Sequence, residues 1–346
     1  MKQLVFDEAN WMTSQRSLGS RVWAILAPVL VVVALVALSR VRLEVPRVVI
    51  DTPVIETRDR FLGVAAVGDV IWAVGKDGKI IRSEDNGSSW VSQPTGMHTN
   101  FQSIAAWDAQ NAVVVANAGK GLVTSDGGRT WEEVKLPVSD IGTGKVLRVR
   151  LDPQGRAWAV AELNVIMRSE DRGRTWQRVT QDDNDAAWND IAFSGAGEAC
   201  VVGEFGRVAC TVDDGVTWEA RPVELEPSLM SVRFRDAEHG LAVGLSGSVL
   251  ATDDGGLTWH VVDIPGLDRH LFDVIWSGTR WIAVGDKGIV LTGDADAAHW
   301  EVGRVRPGDF SWHIALAQQG AGFVAVGLNV GRWEAGQWEL FGPRRH

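Results

Sequence analysis

The chain has 346 residues, with 44 acidic and 34 basic side chains and a formal net charge of −10. Residues 1–42 hold five basic and two acidic groups, so the remainder carries −13 and repels phosphate backbones, which excludes nucleic acid as a partner. Seventeen Trp, 38 Gly and no Tyr indicate many short strands and turns.

Residues 1–21 are polar and form a short cytoplasmic segment. Residues 22–39, VWAILAPVLVVVALVALS, carry no charge and match the length of a bilayer core, which predicts one N-terminal transmembrane helix. A cleaved signal peptide with Ala37-Leu38-Ser39 as its site is the alternative; the long polar segment in front and the length of the apolar run favour an anchor. The segment 40–60 is a linker or an extra edge strand for the last blade described next.

From residue 61 onward one turn recurs: SEDNGSSW (83–90), TSDGGRTW (124–131), SEDRGRTW (169–176), TVDDGVTW (211–218) and TDDGGLTW (252–259). A sixth copy, TGDADAAHW (292–300), loses the Gly and gains a residue, and a seventh, GRWEAGQW (331–338), keeps little beyond Gly336 and Trp338. Each turn follows an apolar run ending in Gly or Ala, such as IWAVG, AWAVA or LAVG, and a further short run lies on either side. Four short runs per unit of about 41 residues describe a four-stranded antiparallel blade, and seven units describe a seven-bladed β-propeller over 61–341, all-β, followed by a tail at 342–346.

The repeated turn reads as a structural device. The Ser/Thr hydroxyl and the carboxylates of Asp85, Asp126, Asp171, Asp213 and Asp254 are short acceptors for the turn's own N–H groups, and Gly supplies the left-handed position. The closing Trp90, Trp131, Trp176, Trp218, Trp259, Trp300 and Trp338 return the chain to the sheet as apolar plugs. No copy adds reactive neighbours.

Cys200 and Cys210 are the only cysteines and lie equidistant from Phe205 in VVGEFGRVA. In a hairpin centred there they stand opposite each other within disulfide reach; the alternative is two small buried apolar residues. A disulfide would place the domain in an oxidising compartment. The count of basic residues flanking the apolar run weakly favours a cytoplasmic domain, and the cysteine pair overrides it.

The turns resemble the Asp-box or BNR repeats of sialidases, tandem-propeller xyloglucanases and sortilin-type receptors. The fuller pattern, apolar strand, V-G-x-x-G, strand and T-x-D-x-G-x-T-W, is most similar to the photosystem II stability/assembly factor family and its relatives outside photosynthetic organisms. The resemblance implies a non-enzymatic propeller that binds a membrane protein during assembly, without cofactor. For anchored relatives it implies accessory proteins linked to transporters of the RND type.

Sialidase chemistry needs a Tyr nucleophile, and this chain has none. The xyloglucanase cleft needs two propellers. Seven His without close ligand spacing and two Cys do not form a zinc site, and QDDNDAAWND (181–190) lacks the Gly and Glu of an EF-hand loop. The residues expected to face a partner are Arg148 and Arg150 in VLRVRL and Arg233 and Arg235 in SVRFRD, where other units carry Ser, Asp, Ala or Ile; the alternative is pairing with carboxylates of the same chain. The expectation is a propeller tethered to the inner membrane on the periplasmic side that assists assembly of a membrane protein complex. The alternatives are an accessory subunit of a transporter of lipids or hydrophobic compounds and a glycan-binding or glycosidase-like propeller.

Overall fold

The computed structural model describes residues 23, 26–33, 35, 53–138, 140–180, 186–334 and 336–342. The chain divides into two compact units, Met1–Asp51 and Thr52–His346. In the first, the described residues of the expected anchor, 23, 26–33 and 35, are helical and exposed; the rest of 22–39, with 1–21 and the end of the tail, lies outside the described residues. Among the described residues no helix is long and apolar enough to cross a membrane.

The second unit consists of seven four-stranded antiparallel sheets, each with its strands in sequence order. Blade 1 is β1 Phe61–Val67, β2 Val70–Gly75, β3 Ile80–Ser83 and β4 Val91–Ser92. Blade 2 is β5 Phe101–Ala106, β6 Ala112–Ala116, β7 Lys120–Thr124 and β8 Glu132–Lys135. Blade 3 is β9 Val146–Leu151, β10 Ala157–Ala161, β11 Ile166–Ser169 and β12 Gln177–Arg178. Blade 4 is β13 Trp188–Gly195, β14 Glu198–Gly203, β15 Val208–Thr211 and β16 Glu219–Arg221. Blade 5 is β17 Leu229–Phe234, β18 Gly240–Gly244, β19 Val249–Thr252 and β20 His260–Val261. Blade 6 is β21 Leu271–Trp276, β22 Trp281–Gly285, β23 Ile289–Gly293 and β24 Trp300–Arg304. Blade 7 is β25 His313–Gln319, β26 Gly322–Gly327, β27 Val330–Glu334 and β28 Gln337–Phe341.

The first strands of neighbouring blades pack on one another around the ring, β1 against β25 included. The second strands are buried on both faces, which is why they read as continuous apolar runs and not as alternating ones. Their terminal Gly is a packing requirement: a Cβ on Gly75, Gly244 or Gly285 would stand 2.0, 2.3 or 1.8 Å from the carbonyl oxygen of the residue that leads into the first strand.

Seven apolar clusters fill the seven junctions between blades, and each takes in one Trp of the repeat. Burying most of a Trp removes about 200 Å² from water and contributes on the order of 4–5 kcal/mol. In the turn before each of the first five, the hydroxyl of Ser83, Thr124, Ser169, Thr211 or Thr252 donates to its Asp and accepts from the Gly two residues beyond that Asp. The Asp then accepts from the N–H and hydroxyl of the Ser or Thr before the Trp. At Asp126 these bonds, led by the Thr130 hydroxyl, hold the carboxyl down at about 2. The box Gly packs on the preceding blade, as Gly173 does on Val113 and Gly215 on Trp158. The sixth turn departs from its reading as a decayed copy: Asp294 still accepts from Ala298 N at 2.8 Å and meets His299 Nδ1 at 2.7 Å, so an imidazole stands in for the missing hydroxyl.

The ring closes without strand exchange. Residues 53–60 form turns and no edge strand, and Ile55 is buried against Phe341 of β28. Phe341 in turn meets the first box at Trp90, ring centroids 5.6 Å apart. Gln319 donates to Gly68 O at 2.7 Å across the same junction.

His313 opens β25 at a position held elsewhere by Phe61, Phe101, Leu229 or Leu271, and it is fully buried. Its Nε2 meets Asn329 Oδ1 at 2.9 Å, while Nδ1 has no partner among the described residues. Burial lowers its pKa below the ordinary 6.5, so the folded chain holds it neutral. Its contribution to stability is complete above about 6.5 and is lost as pH falls towards the folded value. Melting temperature should therefore drop as pH is lowered from 6.5 towards 5, well above the range of the box carboxylates, and His313→Leu should flatten that slope.

Candidate functional site

The innermost strands share a third position, Gly63, Ser103, Arg148, Asp190, Ser231, Asp273 and Ala315, aligned by their pairing to the second strands. Where the side chain allows, it reaches the next blade: Ser103 Oγ accepts from Val149 N at 3.3 Å, Ser231 Oγ from Val274 N at 3.4 Å, and Asp273 Oδ2 from Leu316 N at 2.8 Å. The level is a hydrogen-bonded girdle around the axis.

Four of the seven blades supply a polar cluster at and just beyond this level. Asp190 and Asp273 are fully buried, and the Ser231 hydroxyl lies between them at 2.8 and 2.7 Å. Arg150 grips Asp190 with Nε and Nη2, both at 3.0 Å, and reaches Asp273 at 3.4 Å. Arg233 donates to Asp190 at 2.8 Å and stands 3.5 Å from Asp273. Arg148 lies 3.7 Å and 3.9 Å from the two carboxylates.

Of the four arginines singled out in the sequence, three are thus brought together and one is not. Arg235 lies farther along β17's exit, paired with Asp236 at 3.0 Å and Asp296 at 3.4 Å and resting over the Trp276 ring. The two R-x-R pairs are also offset: Arg233 pairs with Leu241 as Arg150 pairs with Trp158, so Arg233 corresponds to Arg150 and Ser231 to Arg148. Asp190, Ser231 and Asp273 were not singled out. Aligning QSIAAW, VLRVRL, NDIAF, MSVRF and FDVIW on the second strands, rather than on the arginines, brings them into register.

The cluster has little scope for acid–base chemistry. Asp190 Oδ1 accepts from Ile191 N and Arg150, and Oδ2 from Arg150 and Arg233; Asp273 accepts from Val274 N and Leu316 N as well as from arginine. A general acid must instead be within reach of a substrate and free to pass on a proton. No group of three metal-ligating side chains occurs among the described residues.

Around the channel mouth lie the loops that enter each blade and those joining second to third strands, linked by bonds such as Gly288 N to Ser311 O at 2.6 Å and Glu204 N to Ala187 O at 3.1 Å. This face exposes Phe205, Phe310 and Ile141, each more than 60 % accessible. Phe205 takes φ 58°, in the left-handed region that bulky side chains avoid. The same loop position in other blades holds Asp77, Ser246 or Lys287. In the first strands the bulged second residue, Leu62, Met230, Phe272 and Ile314 among them, is half-buried beside these loops. Cys200 and Cys210 face each other on β14 and β15, below the Phe205 loop, and are joined by a disulfide.

Removing one carboxylate from the channel leaves buried guanidinium groups uncompensated. Asp190→Ala should cost about 3–5 kcal/mol in denaturant unfolding. Glu133→Ala, which breaks the exposed pair with Lys120, should cost less than about 1 kcal/mol.

No curated protein matches the chain by sequence. Among solved structures, a YCF48 bound to a D1 peptide is similar over 78 % of this chain and 89 % of its own, with 16 % identity and a TM-score of 0.64. The virginiamycin B lyase of Staphylococcus aureus is similar over 78 % and 92 %, with 10 % identity and a TM-score of 0.68. An ancestral GH74 enzyme is similar at 13 % identity and a TM-score of 0.62, but this chain spans only 46 % of it. These likenesses show the propeller fold, which carries enzymes and non-enzymes alike. The sequence profile of one family, photosynthesis system II assembly factor YCF48, matches residues 94–226 and 217–325, more than half of the chain. The chain belongs to that family.

Proposed function

We propose that this chain is a non-enzymatic propeller, tethered to the inner membrane on the periplasmic side, that holds a segment of a membrane protein while its complex is assembled. The observation that carries the reading is Phe205: an exposed aromatic held at a left-handed loop tip, where sister blades carry polar residues, is costly to folding and useful to a partner. Phe310 lies on the same face. Arg150 and Arg233 keep about a fifth of their side chains open to the channel and would add a pull on an acidic partner segment. A YCF48 solved with a D1 peptide supports a peptide segment of a membrane protein as the kind of ligand.

The saturated channel carboxylates support a binding role over a hydrolytic one. The apolar run 22–39 supports the tether, and the Cys200–Cys210 bond supports an oxidising compartment. Protein isolated from that compartment should show no free thiol until reduced; two free thiols would remove that support.

Affinity purification of the full chain from mild detergent, followed by mass spectrometry, tests the reading. An assembly factor should recover a membrane protein from immature complexes only, whereas stoichiometric recovery with a mature transporter would replace the reading with that of an accessory subunit. The double variant Phe205→Ser, Phe310→Ser should lower recovery by about tenfold or more with a melting temperature no lower than that of the unmodified chain. Unchanged recovery would move the partner surface elsewhere.

A further inference from the structure

At one register of the third strand, three blades carry an arginine that reaches the turn of the next blade. Arg82 of blade 1 donates to Ala109 O at 2.9 Å, Arg168 of blade 3 to Asp214 O at 3.1 Å and Oδ2 at 2.9 Å, and Arg332 of blade 7 to Asn86 O at 3.4 Å. Each also pairs with the glutamate two residues on, Glu84, Glu170 or Glu334. Blade 4 holds Cys210 at this register, tied to Cys200 opposite, as blades 2, 5 and 6 hold Val123, Ala251 and Thr292. The groove between the fourth and fifth turns therefore receives no arginine from its own chain.

Acceptors for one are nonetheless in place there. In blade 5, Ala237 stands where Ala109 stands in blade 2, as the matching bonds Gly255 N to Glu238 O and Gly127 N to Gln110 O show. Ala237 O accepts from no described residue. An open cavity of about 370 Å³ lies beside it, lined by Cys210, Val212, Ala237 and Leu257 and by the carboxylates of Glu198, Glu238 and Asp253. None of these three carboxylates has a cationic partner among the described residues. Arg221, the only cation among the described lining residues, is paired with Glu219 at 3.0 Å.

The groove also has an apolar border. Val212 is 68 % accessible, Leu257 57 %, and Val216, in the same turn as Val212, 79 %. At the positions of Val212 and Val216 the first three turns carry Glu84 and Ser88, Ser125 and Arg129, and Glu170 and Arg174. Aliphatic side chains left in water where the repeat is otherwise polar mark a contact surface, and the unpaired carboxylates beside them set the charge of what it contacts. These turns join third to fourth strands, so they lie at the opposite end of the blades from the Phe205 and Phe310 loops.

We propose that the groove between the fourth and fifth turns is a second docking site, which takes an arginine side chain flanked by aliphatic residues from a partner protein. The guanidinium donates to Ala237 O and pairs with the unpartnered carboxylates, as Arg82 does with Ala109 O and Glu84 within the chain. The flanking aliphatic residues cover Val212 and Leu257. The site is separate from the Phe205 and Phe310 surface and stands whether or not a partner binds there.

Selection of a random displayed peptide library on the full chain carrying Phe205→Ser and Phe310→Ser tests the site apart from that surface. Enriched peptides should share an arginine between aliphatic residues. Adding Asp253→Ser and Leu257→Arg, which introduce the residues that the second turn carries at these positions, should weaken the best peptide by about tenfold or more. Citrulline in place of its arginine, which keeps the shape and removes the charge, should do the same. Enriched peptides without arginine, or equal binding to the variant, overturn the proposal. Should sedimentation show that the unmodified chain dimerises and the variant does not, the occupant is a second copy and the separate partner falls.

Discussion

Two buried carboxylates, Asp190 and Asp273, hold the centre of this propeller. Between them they accept from strands or side chains of blades 3, 5 and 7 while belonging to blades 4 and 6. The apolar clusters bind each blade only to its neighbours, as in any ring of stacked repeats. The carboxylates reach farther: Arg150 of blade 3 touches Asp273 of blade 6 across the axis. A ring assembled from pairwise junctions alone could open at any of them. Contacts across the axis make the junctions interdependent.

Much of this fold was legible because the blade is a local object. Four short runs and a hydrogen-bonded turn recur every 41 residues or so, and the turn's chemistry is contained within eight residues, as the Thr124–Asp126–Gly128–Thr130 bonds show. The Cys200–Cys210 pairing was likewise readable from the spacing of one hairpin. The sixth turn was less so. Its Gly and the Thr before the Trp are gone, and nothing in a sequence pattern says that His299 can fill the hydroxyl's place, since that depends on how the extra residue re-aims the loop.

The candidate site was legible only in part, for a different reason. Arg148, Arg150 and Arg233 stood out because they break the pattern of their strands, but their partners lie 40 residues or more away on other blades. Matching arginine to arginine also set the two motifs two residues out of step. The register is fixed instead by the second strands, and there Ala161 and Gly244 correspond. A search for partners across the ring has to begin from the buried strand that repeats best, not from the residue that stands out most.

The axis also explains why individuality collects where it does. At the blade junctions seven copies of one solution suffice, because each Trp meets its own pocket and never another copy of itself. On the axis the seven side chains of a level converge. Seven copies of one charged residue there would repel one another in a poorly solvated space, and seven bulky apolar ones would not fit. The third position must therefore vary around the ring, and it runs from Gly63 through Arg148 and Asp273 to Ala315. The loops at the channel mouth escape the repeat more freely, since they are bound neither by the junction pockets nor by charge balance. Phe205, on the loop position where its sisters carry Asp, Ser or Lys, is where that freedom has been taken up.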